Sequence, residues 1–368
     1  MKLLYFSNSV LFNKKANCIQ VMKMCEAFSN NFDEVTLYAY SQEKSIVGVH
    51  EFYGVQNNFS IKLYPYKKSR VNRVLNSVST LLKSSQKNKN ETAIYCREIF
   101  LAFLASIFRY KNVLEIHNLP SRKAQFLVNY IFKSKANLLN VTISNSLKNK
   151  LEELYKPTNP IYAFHDGASI VNESFTNPPK FYDKSNFNIG YVGHLYKGRG
   201  IELIIELAKK LPDFSFQIVG GEKEDLDRLS SSSPKNIFYH GFVAPKDTSK
   251  YRFFSDVLLM PYKKGLASEG SLSDTSPWMS PMKLFEYMSS SKPIISTDLP
   301  VLREILSDEN SILVPYDVIE WEKAILKIFK DREYGELLAK NSFADLKSKY
   351  TWRKRSKSIS ELIKKKIK

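Results

Sequence analysis

The sequence has little cysteine, few glycines and no long apolar run. Its three cysteines, Cys18, Cys25 and Cys96, form no C-x-x-C pair, so neither a disulfide framework nor a cysteine metal or redox motif is expected. No segment approaches the roughly 20 apolar residues that span a bilayer. The apolar run at the N-terminus stops at Ser7-Asn8-Ser9, short of a signal-peptide core. We therefore expect a cytoplasmic protein.

Several common catalytic motifs are also missing. The chain contains no H-E-x-x-H, G-x-S-x-G or G-x-x-x-x-G-K-[ST], which argues against common metalloprotease, serine hydrolase and P-loop chemistries. Asp225-Leu226-Asp227 has the letters of a metal-binding D-x-D, but it lies in a segment with a helical pattern, where a solvated face is the better interpretation. We expect no metal site and no cofactor.

The length and hydrophobic content predict two domains. The 368 residues exceed what a single core usually holds, and 43% of them are hydrophobic. Short β-rich runs alternate with helical patterns, and a Pro- and Asn-containing stretch near 167–186 interrupts this rhythm. The alternation is typical of parallel sheets covered by helices. We predict an N-terminal domain at 1–175, a C-terminal domain at 176–345 and a basic helix at 346–368.

The positions of the strands follow from the same alternation. A clear amphipathic helix is also predicted at 71–82, and another helix follows the first strand, with Val21 and Phe28 on its apolar face. Further helices are predicted around 99–109, 121–134, 146–154, 200–211 and 282–289. Ligands in doubly wound sheets bind beyond the carboxyl ends of the strands. The predicted architecture is α/β, with two Rossmann-like doubly wound domains facing each other across a cleft. The predicted strands are 2–6, 34–40, 61–66, 93–96, 113–117, 138–144, 161–165, 188–192, 214–219, 237–239, 257–260, 293–296 and 312–314.

The chain is strongly basic. Its 55 Lys and Arg against 37 Asp and Glu give a net charge of +18, which suits nucleic acid, an anionic membrane surface or phosphorylated substrates. The last segment, 353–368, carries eight basic residues and one acid, Glu361, with Ile359 and Ile363 at helical spacing. It is either a helix docked by its apolar stripe with its lysines in solvent, or a helix that meets anionic headgroups.

The most informative segment is 280–300, which reads SPMKLFEYMSSSKPIISTDLP. Pro281 at a helix start leaves backbone N–H groups free to bind an anion such as a diphosphate, next to Ser280, Met282 and Lys283. Glu286, about one turn further, is expected to be an unpaired carboxylate that accepts hydrogen bonds from ribose hydroxyls. From spacing alone, a capped helix whose Glu286 faces water is an equal alternative.

A glycine-rich turn at 190–200, GYVGHLYKGRG, joins a strand to a helix. Its glycines do not follow the dinucleotide fingerprint. Lys197 and Arg199 stand on a loop that can approach phosphate closely, near Gly193 and His194. The alternative is a turn with solvated charges.

Other polar residues follow predicted strands. Gly220 lies in a Gly-Gly turn after 214–219, and His117 follows Glu115 at the end of 113–117, where ligands of parallel sheets bind. Asn17 and Gln20 lie in the segment after the first strand.

The segments at 280–300 and 190–200 resemble the donor site of glycosyltransferase family 4, a retaining family with the GT-B fold. The resemblance implies that Glu286 binds the donor ribose and that Arg199 binds the donor diphosphate. Trp278 stands where the family has the first Glu of its E-x7-E motif, which leaves the backbone around 280–282 to contact the sugar. His194 stands where the family has an Arg, and Lys197 is a substitute cation.

The resemblance extends more loosely over 1–170. The E-x-H-x-L-P segment at 115–120 implies that His117 approaches the donor sugar, so His117 joins Arg199 as a predicted catalytic residue. Asn17 and Gln20 resemble the loop on the acceptor side, and Gly220 resembles the loop beside the nucleobase. The resemblance implies a metal-independent transferase that moves a sugar from a UDP- or GDP-sugar to a glycan or lipid-linked acceptor. Bacterial surface polysaccharide synthesis at the inner face of the membrane fits this activity.

Two other functions remain open. The net charge of +18 is compatible with a basic nucleic-acid-binding protein, although the basic residues are spread along the chain and no nucleic-acid-reading motif is present. A non-catalytic GT-B relative is the second alternative.

Overall fold

The computed structural model of the chain divides into two compact units. Unit 1 contains Met1–Asp166 and Trp352–Lys368, and unit 2 contains Gly167–Thr351. The sequence placed the division at 175/176, nine residues later. The structure describes residues 1–13, 15–42, 45, 47–65, 78–79, 81, 91–170, 175–183, 185–195, 198–231, 233–265 and 274–367. Most of the helix predicted at 71–82 lies outside these ranges.

Unit 1 is built on a parallel sheet of seven described strands. The strand order is β3-β2-β1-β4-β5-β6-β7, so the chain first winds outward from β1 on one side and then on the other. The central strands are buried on both faces, as parallel strands covered by helices must be. The strands are β1 (Lys2–Val10), β2 (Glu34–Ser41), β3 (Ser60–Pro65), β4 (Thr92–Cys96), β5 (Asn112–Ile116), β6 (Asn137–Thr142) and β7 (Ile161–Ala163).

Five helices in the described part of 1–166 cover this sheet, and a sixth returns from the end of the chain. They are α1 (Ala16–Phe28), α2 (Val49–Tyr53), α3 (Ile99–Ile107), α4 (Gln125–Lys133), α5 (Asn145–Tyr155) and α12 (Trp352–Ile367). Helix α12 packs on α1 and β6. It buries Trp352, Ile359 and Ile363, and Ser356 Oγ donates to the Ala27 carbonyl at 3.1 Å. The apolar stripe of this helix therefore faces unit 1.

Unit 2 is likewise built on a parallel sheet, here of six described strands in the order β10-β9-β8-β11-β12-β13. The strands are β8 (Asn188–Val192), β9 (Ser215–Val219), β10 (Ile237–Gly241), β11 (Val257–Met260), β12 (Ile294–Thr297) and β13 (Ile312–Val314). The helices are α6 (Ile201–Lys210), α7 (Lys223–Ser230), α8 (Thr248–Phe254), α9 (Met282–Met288), α10 (Val318–Lys330) and α11 (Arg332–Lys349). Asp225 and Asp227 lie in α7, as the helical pattern predicted.

Each sheet has a point at which the winding direction reverses. In unit 1 it lies between β1 and β4, and in unit 2 between β8 and β11. The crevice beyond the strand ends at such a point is where doubly wound folds bind ligands. Gly193 follows β8 and Tyr262 closely follows β11, so the glycine-rich turn of the sequence lies at the reversal point of unit 2.

Within the described ranges, no helix is both long and apolar enough to cross a membrane.

Candidate functional site

The turn after β8 is shaped around the side chain of Lys283. A Cβ atom on Gly193 would lie 2.5 Å from both Cε and Nζ of Lys283. Gly193 N donates to the Val219 carbonyl at 2.8 Å, and a Cβ on Gly220 would lie 2.1 Å from the Gly193 carbonyl oxygen. Any side chain at 193 or 220 would therefore displace Lys283 or separate the two turns.

The ammonium of Lys283, in the first turn of α9, is buried at the end of a partly exposed side chain. It makes no hydrogen bond to any described residue, and it lies 3.7 Å from the ring centroid of Tyr191 and 5.4 Å from that of Tyr262. Burial and the nearby Arg199 guanidinium hold the pKa of Lys283 well below its usual 10.5, and Glu286 opposes them only in part. A bound anion would raise this pKa again, so the site is suited to a negatively charged ligand.

The side chains of Arg199 and Lys283 both lie close to the ring of Tyr262. The Cζ atom of Arg199 lies 5.0 Å from the ring centroid of Tyr262, so both cations lie over or beside one tyrosine. The turn that carries Arg199 is held against β11, because Lys263 N donates to the Gly198 carbonyl at 3.1 Å. Gly200 has φ +81°, and a Cβ there would lie 1.9 Å from the Pro261 carbonyl oxygen. The structure thus brings Arg199, Lys283 and Gly193 together, as the sequence predicted of one phosphate-binding region.

The other cations predicted for this region are placed differently. Lys197 lies outside the described residues. His194 is exposed, and its carbonyl accepts a hydrogen bond from the Tyr191 hydroxyl at 2.7 Å.

Helix α9 begins directly after Pro281. Pro281 is the N-cap residue, with extended backbone, and its carbonyl accepts a hydrogen bond from Leu284 N at 2.9 Å. No side chain caps this end of the helix. Ser280 is buried, whereas Met282 is partly exposed. The helix has seven residues, so the positive charge of Lys283 is a stronger anion-binding feature than the helix end.

Glu286 is not the unpaired carboxylate that the sequence led us to expect. Its Oε2 lies 3.6 Å from an Nη atom of Arg252, whose side chain is buried. Arg252 also donates to Ser290 Oγ at 3.0 Å and to Thr248 Oγ1 at 2.8 Å, which fixes the guanidinium from three sides. About a third of the Glu286 side chain stays exposed. The carboxylate is therefore oriented by Arg252 and still open to a ligand.

The Gly220 turn leads to a half-buried histidine in β10, His240. His240 Nε2 is 2.8 Å from Gln217 Oε1, and burial lowers the pKa of His240 to about 4. Because Gln217 uses its amide nitrogen on Phe181 O and Asn188 Oδ1, its oxygen accepts and His240 Nε2 carries the proton. At neutral pH this side of the site carries a neutral imidazole.

In unit 1, His117 belongs to a buried polar network at the ends of β4 and β5. His117 Nε2 lies 2.6 Å from Glu115 Oε1, and His117 Nδ1 lies 3.2 Å from an Nη atom of Arg97. Burial and the Arg97 charge lower the pKa of His117. Since Arg97 can only donate, Nδ1 accepts and Nε2–H donates to Glu115. Both ring nitrogens of His117 are thus engaged within unit 1.

Glu115 is the centre of this network. Besides His117, its Oε1 accepts from Gln20 at 2.9 Å and from Arg355 of α12 at 3.0 Å, and its Oε2 accepts from the Tyr95 hydroxyl. Burial would raise the pKa of Glu115, but Arg355 and the other donors hold it well below 4.5. Glu115 is therefore a charged carboxylate in the core.

The residues predicted on the acceptor side lie beside this network. Gln20 is buried, and its Oε1 accepts from Arg97 at 2.7 Å. Asn17 is partly exposed, and it donates to Ser9 Oγ at 3.2 Å while its carbonyl accepts from Arg97. Arg97 joins His117, Gln20 and Asn17.

Sequence reasoning missed three arginines, namely Arg97, Arg252 and Arg355. Arg97 follows a strand directly, which is a usable signal for a residue at a sheet edge. Arg252 and Arg355 lie in helices, and nothing in the local pattern distinguishes them from solvated basic residues.

Part of the chain is similar in sequence to known glycosyltransferases. Residues 186–331 match the model of the family described as glycosyl transferases group 1. The chain is 26% identical over 236 residues to the uncharacterized glycosyltransferase MJ1069 of Methanocaldococcus jannaschii, covering 61% of this chain and 57% of that protein. It is 25% identical over 173 residues to the alpha-galactosylglucosyldiacylglycerol synthase of Streptococcus pneumoniae, covering 41% and 43%. The chain thus spans about half the length of these curated relatives.

Solved structures agree over the whole chain. Anabaena HepE in complex with UDP has a TM-score of 0.72 with 14% sequence identity, covering 99% of this chain and 100% of that chain. This similarity confirms the predicted fold class. The chain has the α/β GT-B fold of two Rossmann-like units, and its residues 186–331, which carry the glycine turn and α9, match the glycosyl transferases group 1.

Proposed function

We propose that the chain is a glycosyltransferase of the family 4 type, which transfers a sugar from a UDP- or GDP-sugar to a glycan or lipid-linked acceptor with retention. The observation that carries the proposal is the buried ammonium of Lys283, which hydrogen bonds to no described residue and has a depressed pKa. A buried cation whose charge Glu286 offsets only in part is costly unless a ligand supplies the remaining negative charge. A donor diphosphate is the anion that fits a site at the reversal point of a doubly wound sheet.

Lys283 and Arg199 act on the leaving group. The nucleoside diphosphate gains negative charge as the glycosidic bond breaks, so two fixed cations stabilise the transition state more than the bound donor. The two side chains supply the positive charge, and the proposed reaction therefore needs no metal ion and no cofactor. Ser280, Pro281 and Met282 lie beside Lys283, where backbone groups contact the donor.

The nucleoside end of the donor lies along the other predicted residues. Glu286, oriented by Arg252, accepts hydrogen bonds from the ribose hydroxyls. The turn at Gly220 provides close backbone approach for the base, with His194 and Gly193 on its rim. Lys197 remains a predicted second contact to phosphate.

Unit 1 is proposed to bind the acceptor, with Asn17 and Gln20 on that side. His117 keeps the catalytic assignment that the resemblance gives it, and burial and the hydrogen bond that its Nδ1 accepts from Arg97 favour a neutral imidazole over an imidazolium. The relative from Streptococcus pneumoniae is named for a glycolipid product, which supports a lipid-linked acceptor. A role in bacterial surface polysaccharide synthesis is part of the same proposal.

A thermal-shift screen against UDP, GDP, ADP and their sugars tests the function. A ligand that binds only the folded state raises its stability by RT ln(1 + [L]/Kd). We expect UDP or GDP to raise the melting temperature. Lys283→Met should lower the affinity for that nucleotide by about 10- to 150-fold, the scale of a hydrogen bond to a charged group. Lys292→Met is the matched control, because Lys292 is also a partly buried lysine with a lowered pKa, near the ring of Phe253.

Three results would contradict the proposal. Equal shifts in the wild type and Lys283→Met would remove the diphosphate assignment. Binding of a nucleotide without any transfer or donor hydrolysis would indicate a non-catalytic GT-B relative. A gel shift with nucleic acid at physiological salt, with no nucleotide-sugar binding, would favour the nucleic-acid function.

A further inference from the structure

Helix α3 of unit 1 is apolar on both of its faces. Its sequence from Ile99 to Ile107 contains no charged residue, and Leu101, Ala102, Ala105 and Ser106 are buried. The opposite face carries Phe100, Phe103, Leu104 and Ile107 at positions i, i+3, i+4 and i+7, none of which is fully buried. A helix that is apolar all round is normally enclosed by protein or lipid.

The neighbouring helix α4 extends this apolar face. Phe103 is in ring contact with Phe126 and Tyr130 of α4, at centroid distances of 6.5 Å and 5.2 Å. Phe126 is 71% exposed, Ile107 43% and Tyr130 42%. Large aromatic side chains are rarely this exposed in a contiguous group unless the surface binds something. We define the aromatic patch as Phe100, Phe103, Leu104, Ile107, Phe126 and Tyr130.

The charged residues that neighbour the aromatic patch in the sequence are mostly basic, and Glu98, the N-cap residue of α3, is the acid that precedes it. Between 99 and 136 the only acid is Glu115, which is buried in the network of β5. The same segment holds six basic residues, and none of them forms an ion pair with an acid in the described part of the chain. Lys133 shares a stripe of α4 with Phe126 and Tyr130, at i, i+4 and i+7. We define the basic rim as these six residues, Arg109, Lys111, Arg122, Lys123, Lys133 and Lys135.

We propose that the aromatic patch and its basic rim form a docking surface for an anionic lipid bilayer. Apolar side chains that enter the headgroup region, together with cations that meet anionic headgroups, are the two signals that stable peripheral binding needs. Tyrosine and phenylalanine at the level of the headgroups suit such a surface. The proposal concerns a face of unit 1 and requires neither the donor nor the acceptor assignment.

A bilayer fits this surface better than a second copy of the chain. In a two-fold dimer the same patch faces itself, so the two basic rims would repel each other. Single-stranded nucleic acid would use the aromatic rings and the cations, but Leu104 and Ile107 offer no ring on which a base can stack. An anionic lipid surface uses the aliphatic, aromatic and basic residues together.

The surface also differs from the C-terminal helix. In α12 the apolar residues Ile359 and Ile363 are fully buried and Leu362 and Ile367 are only partly exposed, so its exposed lysines have little apolar surface beside them. We therefore expect the aromatic patch, rather than α12, to provide the main contact with lipid.

Vesicle flotation of the full chain tests this surface. We expect binding to vesicles of equal parts phosphatidylcholine and phosphatidylglycerol, and much weaker binding to phosphatidylcholine alone. Phe126→Ser should lower the partition coefficient roughly tenfold, the scale of one lost buried aromatic side chain. Neutralising Arg122, Lys123 and Lys133 to Gln should lower it about 100-fold, at the usual contribution of each basic residue near an anionic surface.

Matched controls separate the patch from nonspecific effects. Leu337→Ser removes an exposed apolar side chain of α11 that is 54% exposed, and neutralising Lys357, Lys365 and Lys366 to Gln removes three charges from α12. We expect both controls to bind vesicles nearly as well as the wild type. Thermal melting checks that each variant is folded. Phe126→Trp keeps an aromatic side chain at this position. The fluorescence of the new tryptophan should be quenched when the vesicles contain brominated lipids.

Five outcomes would overturn the proposal. The first is that the wild type does not bind anionic vesicles. The second is that neither Phe126→Ser nor the charge variant changes vesicle binding. The α12 control could abolish binding instead. The wild type could be a dimer in the absence of lipid that Phe126→Ser dissociates, which would make the patch a self-interface. The patch variants could lose affinity for single-stranded RNA while the wild type ignores vesicles.

Discussion

At the scale of single residues, the proposed donor site depends on a glycine that leaves room for a lysine. Gly193 has no Cβ, and the Lys283 ammonium lies where that atom would be. The sequence predicted both residues, because a glycine after a strand and a lysine at a helix start each have a local signal. The contact between them joins positions 90 residues apart, and no local pattern predicts it.

Arg199 provides the first prediction at this scale. Arg199→Ala should lower the rate of transfer, or of slow donor hydrolysis, by about 10²–10³, the usual effect of removing one preorganised transition-state donor. In the proposed mechanism its guanidinium acts on the charge that develops in the leaving diphosphate. Arg228→Ala, which removes an exposed arginine of α7, is the control. Equal rates in the wild type and Arg199→Ala would remove Arg199 from the mechanism.

Glu286 illustrates what residue patterns leave out. The sequence predicted its position one turn into α9. Its partner Arg252 comes from α8, 34 residues earlier in the chain, and was not predicted. Burial turns Arg252 into an orienting group, and burial depends on how α8 and α9 pack. Such packing is a tertiary property that helical spacing does not encode.

At the scale of elements, strands were easier to predict than helices. Each predicted strand is observed within two residues at both ends, except that β1 continues to Val10. Buried parallel strands are continuous apolar runs with clear polar limits. The helices α2, α8, α10 and α11 were not predicted. In α11 the polar and charged residues dilute the apolar stripe, and α2 has only five residues.

The returning helix α12 carries a prediction about stability. Arg355→Met should lower the free energy of unfolding by about 3–5 kcal/mol, because it leaves the Glu115 carboxylate buried without its main counter-charge. Urea unfolding measures this loss. The double variant Arg355→Met, Glu115→Gln should recover part of it, since no charge is then left unpaired.

The pH dependence of that loss has a defined sign. In the wild type the pKa of Glu115 lies well below 4.5, so its stabilising contribution is present at neutral pH and is lost only as the pH falls through that low pKa. Without Arg355, burial raises the pKa of Glu115, and acidification then stabilises the variant. The difference between wild type and variant should therefore shrink as the pH falls towards 4. A difference that is independent of pH would contradict the role given to Arg355.

At the scale of the whole molecule, the charge of +18 does not select one partner. The structure gives parts of that charge different surroundings. Lys283 and Arg199 lie at the strand ends of unit 2, Arg355 is buried against Glu115, and the six cations of the basic rim flank or lie in the apolar helices α3 and α4. Composition predicted the three classes of partner, but only the positions of the cations connect them to surfaces.

The fold class was predictable because the alternation of strands and helices continues through both halves of the chain. The end of the chain was harder to assign. Helix α12 groups with unit 1, although it follows unit 2 in the sequence. Its apolar stripe shows that it packs against something, but a stripe does not identify its partner.

The most direct test of the donor site is the uptake of protons when the nucleotide binds. The pKa of Lys283 is well below 10.5 without ligand, and a diphosphate beside it raises that pKa. Binding should therefore be accompanied by net proton uptake at Lys283, and affinity should fall as the pH rises. Calorimetry of UDP or GDP binding in two buffers with different heats of ionisation measures this. We expect the uptake in the wild type and in Lys292→Met, and its loss in Lys283→Met; tight binding with no proton uptake that depends on Lys283 would contradict the site.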